Sequence, residues 1–387
     1  MKTLRSGRNR RKWIYVLLLM GLLGLSGCGS PSSASVEMSS QTELVKTGSM
    51  ELQYAENFAV DYYEDGYKML TTLPDSKRYL IVPEGQPVPR GLDEDVSILQ
   101  EPLQNIYLVA SGAMDMFASL DAVDQIRFSG QKQENWYIQT AKDAMAAGDM
   151  IYAGKYSKPD YELLVSEGCD LAIENRMITH SPEVVEMLQG FDIPVMIEYS
   201  SYEQHPLGKV EWVKFFGALT GKEAEAEEAF AEQTEILEEV ESGEKTGKTI
   251  AFFYVTSNGL IQVRQSTDYI PKLIELAGGR YIFEDLEDSG SGRSTLNMQV
   301  EDFYAGAKDA DILIYNSSID GGVTTLDELI GKCNILKDFK AVQEGQVYCT
   351  TNDMYQQSMA IGYLLQDMHT VLTDDDTAKL RYLFLLQ

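Results

Sequence analysis

From residue 79 onward, short apolar runs alternate with segments of helical periodicity, and this alternation restricts the fold more than any other feature. Pro159 and Pro182 each open a helical segment, as expected for the first position of a helix. Such alternation favours a largely parallel sheet covered by helices, with ligands bound at the carboxyl ends of the strands. The predicted strands of this first block are residues 79–82, 105–110, 125–128, 150–153, 171–174 and 195–199.

A long segment without internal proline follows the first block. Between residues 206 and 242, apolar residues such as Phe230 and Leu237 recur at helical spacing opposite a face rich in glutamate. This pattern is typical of a helix with one packed face and one solvated face. A second α/β block begins after the Ser-Gly breaker at 242–247. Its predicted strands are 249–255, 260–264, 311–315 and 346–349, and its predicted helices lie near 270–277, 300–307 and 355–372.

Two α/β lobes joined by one long helix are therefore the expected architecture. A length of 387 residues also exceeds what one hydrophobic core usually organises. The predicted divisions are a signal segment at 1–27, a flexible linker at 28–52, an N-terminal lobe at 53–210, a connecting helix at 211–245 and a C-terminal lobe at 246–387.

The N-terminus has the pattern of an export signal that ends at a lipidation site. Six basic residues between Lys2 and Lys12 precede an apolar run at 13–25, which is too short for a comfortable membrane span. Leu25 to Cys28, with the letters LSGC, resembles the bacterial lipobox. It predicts cleavage before Cys28, acylation of that thiol and anchoring on the extracytoplasmic face of the cell membrane. The Ser-rich and Gly-rich residues that follow are typical of a flexible linker.

Charge and motifs exclude or disfavour several classes of function. With 60 acidic and 32 basic residues the net charge is −28, which opposes binding to nucleic acid. The chain has no G-x-S-x-G, H-E-x-x-H or P-loop run, so an enzyme is not favoured and no resident cofactor is expected. His180, His205 and His369 do not lie at a short spacing with other ligands, which disfavours direct metal binding. A site that binds haem through an axial Tyr or His is not excluded by the sequence.

Several runs, taken in order, resemble the class III substrate-binding proteins of ABC importers. These runs are NIYLVASGAMDMFASLDAVDQI, GKYSKPDYELLVSEGCDLAIE, FDIPVMI, FFGALTGKEAEAEEAF and YIPKLIELAGGRYIF. The resemblance implies an α/β fold of two Rossmann-like lobes joined by a single long helix, with the solute held between the lobes and passed to an ABC permease and its ATPase. It implies a monomer that binds a small-molecule metal chelate, above all a ferric siderophore, with haem, a corrinoid or a metal ion as alternatives. It also places permease-docking acids at Asp115 and at Glu301 or Asp302.

Ligand-binding residues are expected where strands end, on loops that face the space between the lobes. Aromatic rings beside arginines suit a large, flat, anionic chelate, because they combine stacking with charge-assisted hydrogen bonds. The selected candidates are Trp136, Tyr156, Arg176, Tyr202, Tyr254, Arg264, Arg293 and Tyr355.

The remaining cysteines and two other classes of function complete the expectations. Outside the membrane a disulfide between Cys333 and Cys349 is plausible, whereas Cys169 is expected to be a small buried residue. A surface enzyme or an adhesin of the same architecture remains an alternative to a solute receptor. An enzyme would turn over a substrate, and an adhesin would bind a macromolecule without closure of the lobes.

Overall fold

The computed structural model describes residues 44–286, 294–317 and 322–387. The predicted signal segment 1–27, Cys28 and Arg293 lie outside these described residues. The strands are β1 Lys46–Ser49, β2 Phe58–Tyr63, β3 Lys68–Thr72, β4 Lys77–Val82, β5 Val96–Gln100, β6 Ile106–Leu108, β7 Ile126–Ser129, β8 Ile151–Tyr152, β9 Gly154–Lys155, β10 Lys158–Pro159, β11 Leu171–Asn175, β12 Val195–Glu198, β13 Thr249–Val255, β14 Ile261–Arg264, β15 Arg280–Tyr281, β16 Thr295–Met298, β17 Ile312–Tyr315, β18 Val347–Thr350 and β19 Leu383–Leu385.

The described helices cover the sheets and connect them. They are α1 Ala113–Ser119, α2 Gln139–Ala147, α3 Tyr161–Ser166, α4 Pro182–Gly190, α5 Pro206–Thr220, α6 Glu223–Glu241, α7 Tyr269–Leu276, α8 Val300–Ala307, α9 Leu326–Lys332, α10 Lys340–Gln343 and α11 Ile361–Thr373. Within the described ranges, none of them has the length and apolarity needed to cross a bilayer.

The described part of the chain begins with a sheet that the sequence patterns missed except for one strand. Strands β1 to β5 pair in chain order, antiparallel except for the parallel pair β4 and β5. Phe58 and Leu70 point into the main core, whereas Tyr67 and Leu80 form a smaller cluster on the other face. Strand β1 also lies inside the predicted linker, so the linker prediction for 28–52 is wrong from residue 46 onward.

The second sheet is the parallel sheet predicted for the N-terminal lobe. Its strand order is β12-β11-β6-β7-β8, and every neighbouring pair is parallel. The carboxyl ends of all five strands therefore lie along one edge. The five predicted strands between 105 and 199 are confirmed, with ends that differ by at most two residues.

The prediction of a single connecting helix at 211–245 is wrong, because two helices occupy this segment. Helix α5 ends at Thr220, and the left-handed Gly221, with φ of 71°, donates its N–H to the carbonyl of Gly217. Helix α6 then starts at Glu223 and packs against α5. A Cβ at Gly217 would lie 2.6 Å from the Cβ of Ala226, so this glycine allows the close approach. All residues of α5 from 206 to 219 are buried.

The third sheet forms the C-terminal lobe. Its order is β16-β14-β13-β17-β18-β19, with β15 beside the start of β13, and β13, β17 and β18 are parallel. One face packs against α7 and α11 in the main core, and the other packs against α8, α9 and α10 in a second core. All four strands predicted for this lobe are confirmed. Cys333 and Cys349 are buried here and are not joined by a disulfide.

Candidate functional site

The two lobes meet at the carboxyl edge of the parallel sheet and are hydrogen-bonded there. The side-chain amide of Gln356 donates to the carbonyl of Asn135 and accepts from the N–H of Tyr137, both at 2.8 Å. A Cβ on Gly112, which precedes α1, would lie 3.0 Å from Ser358 Oγ in the opposite lobe. The cleft between the lobes is therefore closed at this end by direct contacts.

Asp115 belongs to this interface, which corrects its predicted role as a permease-docking acid. Its Oδ2 accepts a hydrogen bond from the N–H of Met359 at 2.7 Å, so the carboxylate is directed at the C-terminal lobe. Burial raises the pKa of Asp115 to about 6, although the Met359 N–H and the charge of Lys209 oppose the rise. Glu301 is exposed in the first turn of α8, so its docking role stays a prediction.

Four of the predicted ligand-binding residues form two pairs, one on each lobe. The Arg176 guanidinium lies over the ring of Tyr202, with 4.5 Å between its central carbon and the ring centroid. The Arg264 guanidinium lies 5.5 Å from the ring centroid of Tyr355, whose hydroxyl accepts a hydrogen bond from Asn316 at 2.8 Å. Each lobe thus presents an arginine against a tyrosine face.

Three other candidates occupy different surroundings. Trp136 is fully buried, and its indole N–H donates to Ser129 Oγ at 3.0 Å, so it is a core residue and its predicted ligand role is wrong. Tyr156 is half-buried against the outer core of the N-terminal lobe. Tyr254 lies 6.4 Å from the ring of Tyr315 and lines a cavity that also includes Lys332. Arg293 lies outside the described residues.

A group of five buried or half-buried charged residues lies where the lobes meet, and the sequence patterns did not identify it as a group. We refer to it as the floor cluster, and its members are Asp115, Glu198, Lys209, Arg264 and Asp268. Lys209 stands in the first turn of α5, and its ammonium lies 4.8 Å from the ring centroid of Tyr269.

The floor cluster holds its charges at an energetic cost. Arg264 and Asp268 are at most 8% exposed and approach each other to 3.4 Å. Burial raises the pKa of both Asp268 and Glu198, while the positive charge of Lys209 acts in the opposite direction on each. The one sequence signal for Asp268 was its position before α7, where its side chain caps the helix by accepting the N–H of Ile270.

A cavity of about 380 Å³ lies beside Asp268, between the lobes. Its size is within the range of small-molecule sites. The ring of Tyr54 stacks on His205 at 4.4 Å, and His205 Nδ1 accepts the N–H of Leu207, so this nitrogen carries no proton. Burial lowers the pKa of His205, which favours the neutral imidazole. The lining residues are Tyr54, Glu56, Gln204, His205, Ser266, Thr267, Asp268 and Lys272.

Two buried glutamates hold the N-terminal wall of this cavity in place. The carboxylate of Glu211 accepts backbone N–H groups from residues 53–55, and that of Glu203 accepts those of residues 56 and 57. Glu203 also accepts the indole N–H of Trp212. The segment bearing Tyr54 is thereby fixed to α5. Nothing in the sequence pattern near residue 54 indicated a contact with residues more than 140 positions away.

No metal centre is formed by the side chains that the structure describes. Across residues 44–286, 294–317 and 322–387, no three His, Cys, Asp or Glu side chains converge as metal ligands. His180 is exposed at the end of a 3-10 turn, and His369 contacts the carbonyl of Ala277.

Comparison with known proteins identifies one family model and a set of similar chains. Residues 114–354 match the model described as "Periplasmic binding protein". Two uncharacterized lipoproteins of Methanocaldococcus jannaschii are each 24% identical to this chain. The first alignment covers 93% of this chain and 92% of the relative, and the second covers 89% and 90%.

Solved structures with the same fold were also found. A possible iron-binding (periplasmic solute-binding) protein from Staphylococcus epidermidis matches at a TM-score of 0.54 with 17% identity, over 70% of this chain and 98% of that one. A periplasmic heme binding protein of Vibrio cholerae matches at 0.55 with 14% identity, over 69% and 98%. An ABC-type Fe3+-hydroxamate transport system protein from Saccharomonospora viridis matches at 0.54 with 16% identity, over 70% and 93%. At these identities the likeness establishes the fold.

Proposed function

The chain belongs to the periplasmic binding protein family, and on that premise we propose that it is a lipid-anchored solute receptor of an ABC importer. It captures a metal chelate, above all a ferric siderophore, between its lobes and passes it to the permease and its ATPase. The chelate is the cargo, and the receptor has no resident cofactor. The receptor acts as a monomer held on the extracytoplasmic face by an acyl group on Cys28.

The observation that carries this proposal is the pair of arginine-tyrosine contacts, Arg176 with Tyr202 and Arg264 with Tyr355. An arginine that lies against an aromatic ring loses less conformational entropy when it binds an anionic ligand, and the ring adds a stacking surface. Tyr202 is 40% exposed, so the N-terminal pair is accessible to a ligand. The solved proteins named for iron, ferric hydroxamate and haem support a chelate of this size class.

The proposal is tested by calorimetric titration of the full chain, purified in detergent, with ferrichrome, ferric enterobactin, ferric citrate, haemin, cobalamin, Zn²⁺ and Mn²⁺. One of the ferric chelates is expected to bind with a Kd below about 10 μM, which is roughly −7 kcal/mol. Binding of haemin or cobalamin alone would replace the siderophore with that ligand. Binding of a bare ion alone, or of nothing, would contradict the proposal.

A matched pair of variants assigns the binding to the cleft. Arg176→Ala is expected to weaken the bound ferric chelate by about tenfold or more, since a hydrogen bond to a charged group contributes about 1.5–3 kcal/mol. Arg127→Ala is the control, because Arg127 pairs with Glu167 and with backbone carbonyls of the same lobe. Equal affinities in the two variants would remove Arg176 from the site.

A further inference from the structure

Helix α5 carries two buried lysines that the structure treats differently. Lys209 and Lys214 are each 3% exposed, and each ammonium lies within 5 Å of an aromatic ring centroid. Lys214 forms an ion pair with Glu227 at 2.9 Å and a longer one with Glu211. Lys209 makes no hydrogen bond and no close ion pair with any residue that the structure describes. A lysine that is largely removed from water and has no acceptor for its hydrogens among these residues is costly.

The ammonium of Lys209 lies between the lobes, because its charged neighbours come from both. Asp115 and Glu198 belong to the N-terminal lobe, and Asp268 belongs to the C-terminal lobe; the charge of Lys209 acts on all three. Each of these carboxylates already accepts a backbone N–H, from Met359, Ser200 and Ile270 respectively. The three hydrogens of the Lys209 ammonium are therefore left without acceptors among the described residues.

Two other buried polar atoms, on residues that adjoin these contacts, have no hydrogen-bond partner in the part of the chain that the structure describes. The first is Ser358 Oγ, on the residue before Met359, whose backbone N–H donates to Asp115. The second is Oε1 of Gln265, whose backbone carbonyl accepts the N–H of Asp268. Ser358 and Gln265 are at most 1% exposed. Folded proteins rarely leave such groups unmet, so several of them around one interlobe position indicate a space that is filled by water or by a ligand.

We infer that Lys209 is a ligand-binding residue whose ammonium donates to anionic oxygens of the captured chelate. This inference rests on the proposed function and narrows the cargo to chelates that carry a net negative charge, such as those of carboxylates or catecholates. Hydrogen bonds between an ammonium and an anionic oxygen are the strong, short kind. Several oxygens of this type can accept the diverging hydrogens of the ammonium, and each such bond is stronger than a bond to a neutral acceptor.

The test compares Lys209→Met with the matched control Lys214→Met in the full chain, by calorimetric titration with ferric enterobactin, ferric citrate and neutral ferrichrome. Lys209→Met is expected to weaken the anionic chelates by about 30-fold or more and to leave any binding of ferrichrome within about threefold. Lys214→Met is expected to lower the Tm, because it leaves Glu211 and Glu227 without their partner, and to keep the affinity for anionic chelates. Lys209→Arg, which retains the charge, is expected to restore most of the lost affinity.

The outcomes separate this inference from the proposed function. If the wild-type chain binds no chelate, the proposed function fails. If the wild-type chain binds anionic chelates and Lys209→Met binds them equally well, the role of Lys209 is overturned while the function stands. The same holds if Lys209→Met loses as much affinity for ferrichrome as for the anionic chelates. Binding of ferrichrome alone by the wild-type chain would also overturn it. If Lys209→Met does not fold, Lys209→Gln provides the same comparison with a neutral polar side chain.

Discussion

Asp115 is a residue whose placement makes the contact between the lobes sensitive to pH. Its pKa is raised to about 6 by burial, with a further rise from Asp353 and opposing effects of the Met359 N–H and Lys209. A carboxyl whose pKa is higher in the folded chain than in the unfolded chain binds its proton more tightly when folded. Its contribution to stability is therefore present at low pH and is lost as the pH rises from about 4 through about 6.

Asp115→Asn removes that ionisation and keeps an oxygen that can accept the N–H of Met359. The variant is expected to be more stable than the wild type by about 1–3 kcal/mol at pH 8, and the difference is expected to shrink toward zero near pH 4. Urea unfolding of both chains between pH 4 and pH 8 measures it, with the exposed Asp302→Asn as control. A difference that is constant with pH, or largest at pH 4, would contradict the assignment.

At the residue scale, sequence reasoning selected the four members of the arginine-tyrosine pairs one by one, without predicting the pairs, and it did not identify the floor cluster as a group. Arg176 and Tyr355 could be selected from the sequence because each follows a strand that the apolar pattern predicted. Lys209 lies in a helix whose other residues were interpreted as a packed connection, and nothing in the spacing distinguishes it from Lys214. The partners of Lys209 come from segments near residues 115, 198 and 268, so only the tertiary fold brings them together.

The element that departs most from expectation is the connection between the lobes. Proline was the helix breaker considered for residues 206 to 242, whereas the chain uses Gly221 in a left-handed conformation to end α5. The sequence LTGKE carries that signal, since glycine is the usual residue after a helix end. Because the chain turns at Gly221, α6 packs against α5, and α5 lies between the lobes with Lys209 in its first turn.

The contact between these two helices predicts a contrast between two helical glycines. Gly217→Ala places its Cβ against Ala226 Cβ at 2.6 Å and the carbonyl of Lys222 at 3.0 Å, so it is expected to destabilise the fold by about 1–3 kcal/mol. Gly331→Ala, within α9, meets nothing within 4 Å and is expected to stabilise by about 0.5–1 kcal/mol. Urea unfolding measures both, and equal effects would contradict close packing of α5 on α6.

The parallel strands of the second and third sheets were predictable because burial on both faces makes them short apolar runs, such as IAFFYV in β13. Strands β1, β2, β3 and β5 of the first sheet were missed because none of them is buried along its whole length. β1 contains only KTGS and has no buried residue. Its pairing with β2 supplies the order that its composition does not indicate.

At the scale of the whole molecule, the class III architecture places the candidate binding cleft between two lobes that contact the same helix. The described residues form one compact unit in which both lobes contact α5, so the cleft has a shared floor. The net charge of −28 opposes association between copies of the chain. Against this acidic background the buried cations differ in sign from most of the charged residues. A receptor of this kind is useful where its cargo can reach a permease, which gives the predicted anchor at Cys28 a physical purpose.

The predicted anchor at Cys28 can be tested apart from the candidate binding site, because the cavity is lined by residues from 54 onward. Cys28→Ser removes the only thiol in the LSGC run, and it is expected to move the chain from the membrane fraction to the soluble fraction on centrifugation. Its affinity for the bound chelate is expected to equal that of the wild type in calorimetric titration. Cys169→Ser, at a half-buried cysteine of the N-terminal lobe, is the control and is expected to stay with the membrane. Retention of Cys28→Ser in the membrane fraction would instead assign the anchor to the apolar run at 13–25.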